Sequence, residues 1–173
     1  MITPAYVRMM SRYNRAMNER VYDVCASLGD EDRKQDRGAF FGSIHATLNH
    51  LVWADARAVA AFASREAPPP DTRTEMHADF DSLRAHRRAL DEAIVAIADV
   101  LTQPMLDAKK TQTSVATGRV REWPLGALLV HLFNHQTHHR GQVSTLLMQC
   151  GIDPGVTDLP AMPADFASPA FGQ

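Results

Sequence analysis

Apolar residues recur every three or four positions along four long stretches of the chain, and this spacing places them on one face of an α-helix. Pro4 and Pro124 stand where two of these stretches begin, which suits proline because a first helical turn needs no N–H donor. Gly29 and Gly151 stand just beyond two of the ends, where glycine terminates a helix at low cost. The predicted helices cover residues 4–28, 42–66, 75–101 and 124–150.

The segments between these helices lack a helical apolar face. Residues 29–38 are dense in charge, and we expect them to form an exposed connection. The triple proline at residues 68–70 excludes a continuous helix, because each ring removes an N–H donor and clashes with the preceding turn. Residues 109–123 are rich in threonine, serine and valine around a Thr117-Gly118 turn signal, which predicts a short two-stranded β-ribbon before the last helix.

Four amphipathic helices of this length bury their apolar faces most economically by packing side by side, each about 40 Å long. The chain has 173 residues, 45% of them apolar, which is enough for one domain with a core. The predicted fold is therefore all-α, a four-helix bundle over residues 1–151. Residues 152–173 are expected to form an extended arm over the surface or onto a partner, because they contain four prolines: Pro154, Pro160, Pro163 and Pro169.

Charge and cysteine content narrow the class of protein. A net charge of -2 with 22% charged residues offers no large basic face for nucleic-acid phosphates, so nucleic acid is not an expected partner. No run approaches the roughly 18 apolar residues of a membrane span, and the N-terminus lacks the apolar segment of a secretory signal. Cys25 and Cys150 are too few for a disulfide framework. We therefore expect a cytoplasmic protein without membrane contact.

Histidines supply the most distinctive chemistry of the chain. Four of the eight lie between His131 and His139, inside the last predicted helix. His135 and His139 are four residues apart and project from the same helical face, so two imidazoles can converge on one metal ion. A further ligand must come from another element, and the second predicted helix offers His45 and His50. Periodicity alone does not choose between them, since the apolar stripe of that helix lies closer to His45.

The remaining histidines have simpler interpretations. His131 shares the face of His135 only approximately, and His138 points about 100° away, so we interpret both as secondary. His77 and His86 stand among charged residues, which favours solvated surface positions.

Several neighbouring polar residues are candidates for orienting a ligating imidazole. Asp55 is able to accept a ring N–H, although a surface ion pair with an arginine explains it equally well. The same outer role is open to four amides: Asn49, Asn134, Gln136 and Gln142.

Neutral imidazole suits zinc, nickel, copper and iron, so a set of three histidines narrows the metal without naming it. With neutral ligands the ion keeps its positive charge and favours a bound hydroxide, thiolate or carboxylate. A fourth position open to solvent is typical of a catalytic site. The competing interpretation is a plain bundle whose core histidines are satisfied by hydrogen bonds.

Two phrases of the sequence resemble the DinB family, the DinB/YfiT-like metalloenzymes. They are RGAFFGSIHATLNH at residues 37–50 and FNHQTHHRGQ at residues 133–142, and the likeness extends from the first helix to about Asp158. The resemblance implies a metal-binding, usually dimeric four-helix bundle, in which one histidine of the second helix joins a pair in the fourth. In this sequence those ligands are His50, His135 and His139, and His45 becomes a pocket or packing residue.

The resemblance also sets the functional hypotheses. Relatives of this kind include transferases and isomerases that use low-molecular-weight thiols. The leading hypothesis is therefore a divalent-metal enzyme using zinc, nickel or iron, either a thiol-dependent S-transferase or isomerase or a hydrolase, with a small thiol or electrophile as its partner. The alternative is a non-catalytic, stress-associated metal-binding homodimer. The residues assign no catalytic base.

Overall fold

The computed structural model describes residues 2–115 and 117–162, and four long helices dominate it. They are α1 (Pro4–Cys25), α3 (Ile44–Phe62), α4 (Phe80–Val100) and α6 (Leu125–Gln149). The short elements are α2 (Asp30–Lys34), α5 (Gln103–Asp107), β1 (Lys109–Thr113), β2 (Val120–Pro124) and one 3-10 turn (Leu159–Ala161). The predicted all-α four-helix bundle with a ribbon before its last helix is confirmed. The short helix α5 is an element that hydrophobic periodicity did not predict.

The four long helices surround one another in a closed arrangement. Helix α1 packs against α4 and α6, and α3 packs against the same two helices. Helices α1 and α3 therefore lie diagonally opposite each other. This arrangement places the second long helix directly beside the last, as a site shared by their histidines requires.

Side-chain caps mark where α3 and α4 begin. The hydroxyl of Ser43 accepts the N–H of Ala46 and starts α3, two residues later than the apolar pattern indicated. Asp79 accepts the N–H of Ser82 and starts α4 at Phe80, so the prediction of a helix from residue 75 was wrong by five residues. Helix α3 also ends early, at Phe62 instead of residue 66, before the backbone reaches a left-handed conformation at Ser64 with φ 50.

The charged segment 29–38 is not the fully exposed connection that its composition predicted. It contains α2, whose Arg33 is buried. The guanidinium of Arg33 donates to the carbonyl of Cys25 at 3.1 Å and to that of Leu28, and it lies 4.3 Å from the ring centroid of Phe80. The burial of Arg33 depends on carbonyl groups at the end of α1 that accept its hydrogen bonds. The charge content of the segment does not show these acceptors, so it wrongly predicted full exposure.

The β-ribbon is an antiparallel pair that stands out from the bundle. Its register runs from Lys109 opposite Pro124 to Thr113 opposite Val120. Every residue of both strands is exposed. Gly118, with φ 66, supplies the left-handed conformation of the turn.

The chain beyond α6 runs back along α1. Ile152 packs on the core, the hydroxyl of Tyr13 donates to the carbonyl of Thr157 at 2.5 Å, and Arg20 donates to that of Val156. Pro163 and Pro169, on which the prediction of an extended arm partly rested, lie outside the described residues. Within the described part of the chain, no helix is long and apolar enough to cross a membrane.

The core consists of two apolar clusters separated by a buried polar layer. One cluster includes Leu48, Leu83 and Val143, and the other includes Ile94, Leu129 and Phe133. Between them lies a set of buried polar side chains that the four long helices share: Asn14, Asn18, Asp55, Arg87, Asp91, Gln136 and Arg140. Burial of this many polar groups is stable only when they bond to one another.

Six of these side chains close a ring of hydrogen bonds, which we call the polar ring. Oδ2 of Asp55 accepts from Arg87 Nη1 at 2.7 Å and from Gln136 Nε2 at 2.5 Å. Nη1 of Arg140 donates to Gln136 Oε1 at 3.3 Å and to Asn18 Oδ1 at 3.1 Å. Asp91 closes the ring, because its Oδ1 accepts from Asn18 Nδ2 at 2.8 Å and its Oδ2 accepts from Arg87 Nε at 3.1 Å. Two arginines balance two aspartates, so the ring carries no net charge.

The polar ring buries two charged residues of α4. Charged residues of an amphipathic helix usually face solvent, yet Arg87 and Asp91 are each only 2% exposed. Despite their burial, the adjacent carboxylates of Asp55 and Asp91 raise the pKa of the Arg87 guanidinium, so it stays charged. A charge pattern along one helix does not reveal that its charges are neutralised by another helix.

Removing the central cation should unfold the protein more readily. We expect Arg87→Met to lower the free energy of unfolding by about 3–5 kcal/mol, because two buried carboxylates lose their charge partner. Urea titration followed by circular dichroism measures the change. The control is Arg88→Met at the exposed neighbouring position, which should change the free energy by less than about 0.5 kcal/mol. Equal stability of the two variants would contradict the role given to Arg87.

Candidate metal centre

His50, His135 and His139 lie together where α3 meets α6. One ring nitrogen from each histidine lies within 4.8 Å of those of the other two. The Nε2 atom of His135 is 3.1 Å from Nε2 of His50 and 3.1 Å from Nε2 of His139. His50 and His139 are buried, and His135 is half-buried. Of the two second-helix candidates, the structure therefore brings His50 to the pair on α6.

Hydrogen bonds on the far side of two rings orient their nitrogen lone pairs toward this point. Nδ1 of His50 is 3.0 Å from the carbonyl oxygen of Thr72, which only accepts, so Nδ1 carries the proton. Nδ1 of His139 lies 2.7 Å from Oε1 of Gln142 and donates in the same way. Both Nε2 atoms therefore keep a free lone pair, and both face His135.

This arrangement leaves an excess of acceptors. A neutral imidazole of His135 has one N–H, and a single proton on Nε2 is shared poorly between two acceptors on different rings. A cation at the centre receives all three lone pairs at once. The three nitrogen donors therefore fit a divalent metal ion. Histidines that bind a metal usually donate their other ring N–H to a nearby acceptor, as His50 and His139 do here.

The same burial keeps the imidazoles in the form that binds metal. Burial lowers the pKa of His50 to about 4. Burial, reinforced by the charges of His139 and His50, lowers the pKa of His135 to about 3. Burial also lowers the pKa of His139. All three are neutral at pH 7, so protons compete little with a metal ion.

The group consists of three imidazoles. Within residues 2–115 and 117–162, no cysteine, aspartate or glutamate joins the three histidines in a ligand group. Catalytic zinc sites usually have three protein ligands, whereas structural sites usually close with four. An ion held by these three histidines alone would take its fourth ligand from water or a small molecule.

Aromatic rings enclose His50 on α3. Phe41 stacks on His50 with ring centroids 4.0 Å apart and an interplanar angle of 23°, and its centroid is 5.5 Å from that of His139. Trp53 also stacks on His50, at 5.5 Å and 26°. These rings hold the imidazole of His50 in one orientation and shield it from water.

The proline-rich segment between α3 and α4, residues 63–79, supports this enclosure. The indole N–H of Trp53 donates to the carbonyl of Pro69 at 2.8 Å, and Arg57 donates to that of Pro68. Farther along, Thr72 supplies the acceptor for His50. The triple proline lies outside any helix, as predicted, and Pro68 and Pro69 present carbonyl oxygens to side chains of α3.

The other candidate histidines lie outside the ligand group. His45 is buried, and its Nε2 is 2.9 Å from the carbonyl of His77, which gives it a packing role. His131 and His138 are exposed, with ring centroids 5.8 Å from His135 and 4.8 Å from His139 respectively. The prediction that His77 and His86 are solvated was wrong. They are half-buried and bonded to each other, Nε2 to Nδ1, at 2.9 Å.

The polar candidates separate in the same way. Gln142 contacts a histidine of the group, as expected of an orienting residue. Asp55 forms an ion pair with an arginine, as one of its two interpretations held, but this pair with Arg87 is buried and not at the surface. Its carboxylate accepts from Arg87 and Gln136 and orients no imidazole of the group. Asn49 bonds to the main chain of His77, and Asn134 is exposed.

Sequence reasoning missed three contributors to the site: Phe41, Trp53 and Thr72. The two aromatic residues carried a usable signal, since Trp53 lies one helical turn after His50 and Phe41 precedes its helix. Thr72 acts through its main-chain carbonyl, which no residue type announces.

Comparison with known proteins supports this architecture. Over 142 residues the chain is 29% identical to the uncharacterised protein YrdA of Bacillus subtilis strain 168, covering 75% of each. It is 23% identical over 155 residues to Protein DinB of the same organism, covering 84% of this chain and 87% of that protein. The crystal structure of a DinB-like protein from Bacillus cereus ATCC 10987 shares the fold, with a TM-score of 0.56, 23% identity, and coverage of 81% of this chain and 90% of that one. The DinB family model matches residues 1–165, and the chain therefore belongs to the DinB family.

Proposed function

We propose that this protein is a divalent-metal-dependent enzyme whose ion is held by His50, His135 and His139. The observation that carries the proposal is the convergence of three Nε2 atoms, two of which have their opposite N–H already engaged. Membership of the DinB family and the three-histidine group are both consistent with a divalent metal. Zinc, nickel and iron are the candidates, because all three accept imidazole ligands.

The residues around the ligands have separate tasks in this proposal. A bound divalent ion supplies Lewis acidity, which lowers the pKa of a thiol or of water. Gln142 and the carbonyl of Thr72 hold His139 and His50 in the required tautomers. Phe41 and Trp53 keep water away from His50.

The reaction class we propose is thiol-dependent transfer or isomerisation, with hydrolysis as the related option. In transfer, the thiol would lose its proton to solvent and form a bond from sulfur to an electrophilic carbon, while the leaving group departs with its bonding electrons. In hydrolysis, water would take the place of the thiol. The support is the resemblance to thiol-using relatives and a group of three histidines, the number of protein ligands typical of catalytic zinc sites. No described side chain is assigned as a general base.

A second candidate is a non-catalytic protein whose function is to bind the metal. One observation favours it: the ring of Phe41 contacts both His50 and His139 and narrows the space beside them. A homodimer is part of either proposal and depends on the family resemblance. So is a cytoplasmic location, which depends on the low cysteine content.

The metal proposal predicts a stoichiometric ion that disappears with its ligands. We expect untagged protein purified without chelators to hold close to one divalent ion per chain, and a His135→Ala, His139→Ala double variant to hold almost none. Elemental mass spectrometry measures the content. The matched control is His131→Ala with His138→Ala, two exposed histidines on the same helix, which should retain the ion.

The same comparison is able to reject the site. If the wild type and the double variant are equally empty, added zinc, nickel or iron should be tested for a rise in melting temperature. No rise with any of the three would leave a plain bundle with satisfied histidines as the better description.

Without metal, stability should decrease on acidification. In the unfolded chain histidine takes up a proton near pH 6.5, whereas folded His50 and His135 resist protonation until about 4 and about 3. Protons therefore favour the unfolded state, and the free energy of unfolding falls as the pH is lowered through that interval. Urea titrations of chelated protein at several pH values measure the slope. A His50→Gln, His135→Gln variant should show a shallower slope, and an unchanged slope would contradict this assignment.

Turnover separates the two candidate functions. We expect the metal-loaded protein to consume a small thiol in the presence of an alkyl or aryl electrophile, and the ligand-deficient double variant to lose this activity. Loss of free thiol is followed with a chromogenic disulfide. A filled site without turnover of thiols or of ester and amide substrates would favour the non-catalytic metal-binding protein.

A further inference from the structure

The three histidines come from two helices, so the distances between them depend on how α3 and α6 are set against each other. His50 belongs to α3, and the other two belong to α6. Apolar packing is non-directional, and cores keep their stability through small changes of arrangement more readily than they keep a unique geometry. A hydrogen bond, in contrast, restricts both distance and direction. A directional contact between α3 and α6 would hold the site at constant dimensions.

The polar ring contains such a contact. Nε2 of Gln136 donates to Oδ2 of Asp55 at 2.5 Å, and both side chains are buried. Gln136 directly follows His135, and Asp55 lies about one and a half turns after His50 on α3. The bond therefore joins the two ligand-bearing helices close to the ligands themselves.

Sequence spacing also links the ring to the rotation of α6. Gln136 and Arg140 are four residues apart and stand one position after His135 and His139. Adjacent helical residues project about 100° apart. The direction of the interior row, Gln136 and Arg140, therefore determines the direction of the row formed by His135 and His139. Arg140 is anchored to α1 through Asn18, and Gln136 is anchored to α3. The interior row thus limits how far α6 turns about its own axis.

We propose that the Asp55–Gln136 hydrogen bond is the positioning contact that holds His50 against His135 and His139. Neither residue touches an imidazole through this bond; both act by fixing the helices that carry the imidazoles. The inference rests on the proposed function in taking the bound group to be a metal ion.

Two ring variants separate positioning from general stability. Gln136→Met removes one donated and one accepted bond and breaks the link between α3 and α6. Asn18→Leu also removes one donated and one accepted bond of the ring but leaves that link intact. Both replace a buried amide by an apolar side chain of similar size, and urea titration compares their stability. The second variant is therefore a matched control.

Cobalt(II) is the metal probe, because its visible spectrum reports ligand geometry. We expect Gln136→Met to raise the Kd for cobalt(II) about 10- to 100-fold and to alter the spectrum of the bound ion. Asn18→Leu should change the Kd by less than about threefold, since no ligand lies on α1. If Gln136→Met does not fold, Gln136→Asn keeps an amide in the polar layer but shortens its reach to Asp55.

A measurement on metal-free protein tests the contact without any ion. The ring centroids of His50 and His135 are 5.0 Å apart, close enough for nuclear Overhauser contacts between imidazole protons. We expect these contacts in the wild type and in Asn18→Leu, and their loss in Gln136→Met. Asp55→Asn retains an oxygen able to accept from Gln136 and should preserve them.

The outcomes distinguish the two proposals. Retention of the imidazole contacts in Gln136→Met, or their equal loss in Asn18→Leu, would overturn the positioning role. A wild type that shows the contacts but binds no cobalt(II) or zinc would overturn the metal-dependent function, and the contacts in the variants would still decide the role of Asp55 and Gln136.

Discussion

Buried charges must find opposite charges, and this constraint organises the middle of the bundle. Arg87 lies between two aspartates from different helices, and the amides of Asn18 and Gln136 extend those pairings to Arg140. The ring lies between two apolar clusters of the core, and each cluster packs separately. Desolvation of these charges opposes folding, and replacement of a buried ion pair by apolar side chains is often neutral or stabilising. The directional hydrogen bonds of the ring restrict how the four helices are set against one another.

The candidate metal centre inherits its geometry from two sources of order. One is the polar ring, which lies one residue away from His135 and His139 along α6. The other is the segment of residues 63–79, which reaches back to α3 and fixes the tautomer of His50. Depressed histidine pKa values follow from the same enclosure, since the aromatic rings and the bundle interior exclude water. Neutral imidazoles with directed lone pairs are thus consequences of packing.

Sequence patterns predicted the parts of this protein that depend on local features of one segment. The four long helices and the pairing of His135 with His139 follow from spacing, and the β-ribbon follows from threonine, serine and valine around a turn signal. The choice of His50 over His45 needed the family resemblance, because both lie on one helix and only tertiary contact separates them. The burial of Arg33, Arg87 and Asp91 was not predicted for a related reason: a charge is recognised as buried only when its partner on another element is known. The early end of α3 and late start of α4 depended on cap geometry instead.

The hydrogen bond from His50 to Thr72 has a consequence for how this family should be compared. The acceptor is a main-chain carbonyl, so the side chain at position 72 takes no part in it. Substitutions there are free to accumulate without disturbing the histidine, provided that the loop keeps its length and course. The position of this carbonyl therefore depends on the number of residues between α3 and α4, and the residue type at position 72 does not reveal it. Insertion or deletion of a residue in this connection would disturb the hydrogen bond of His50 more strongly than most substitutions would.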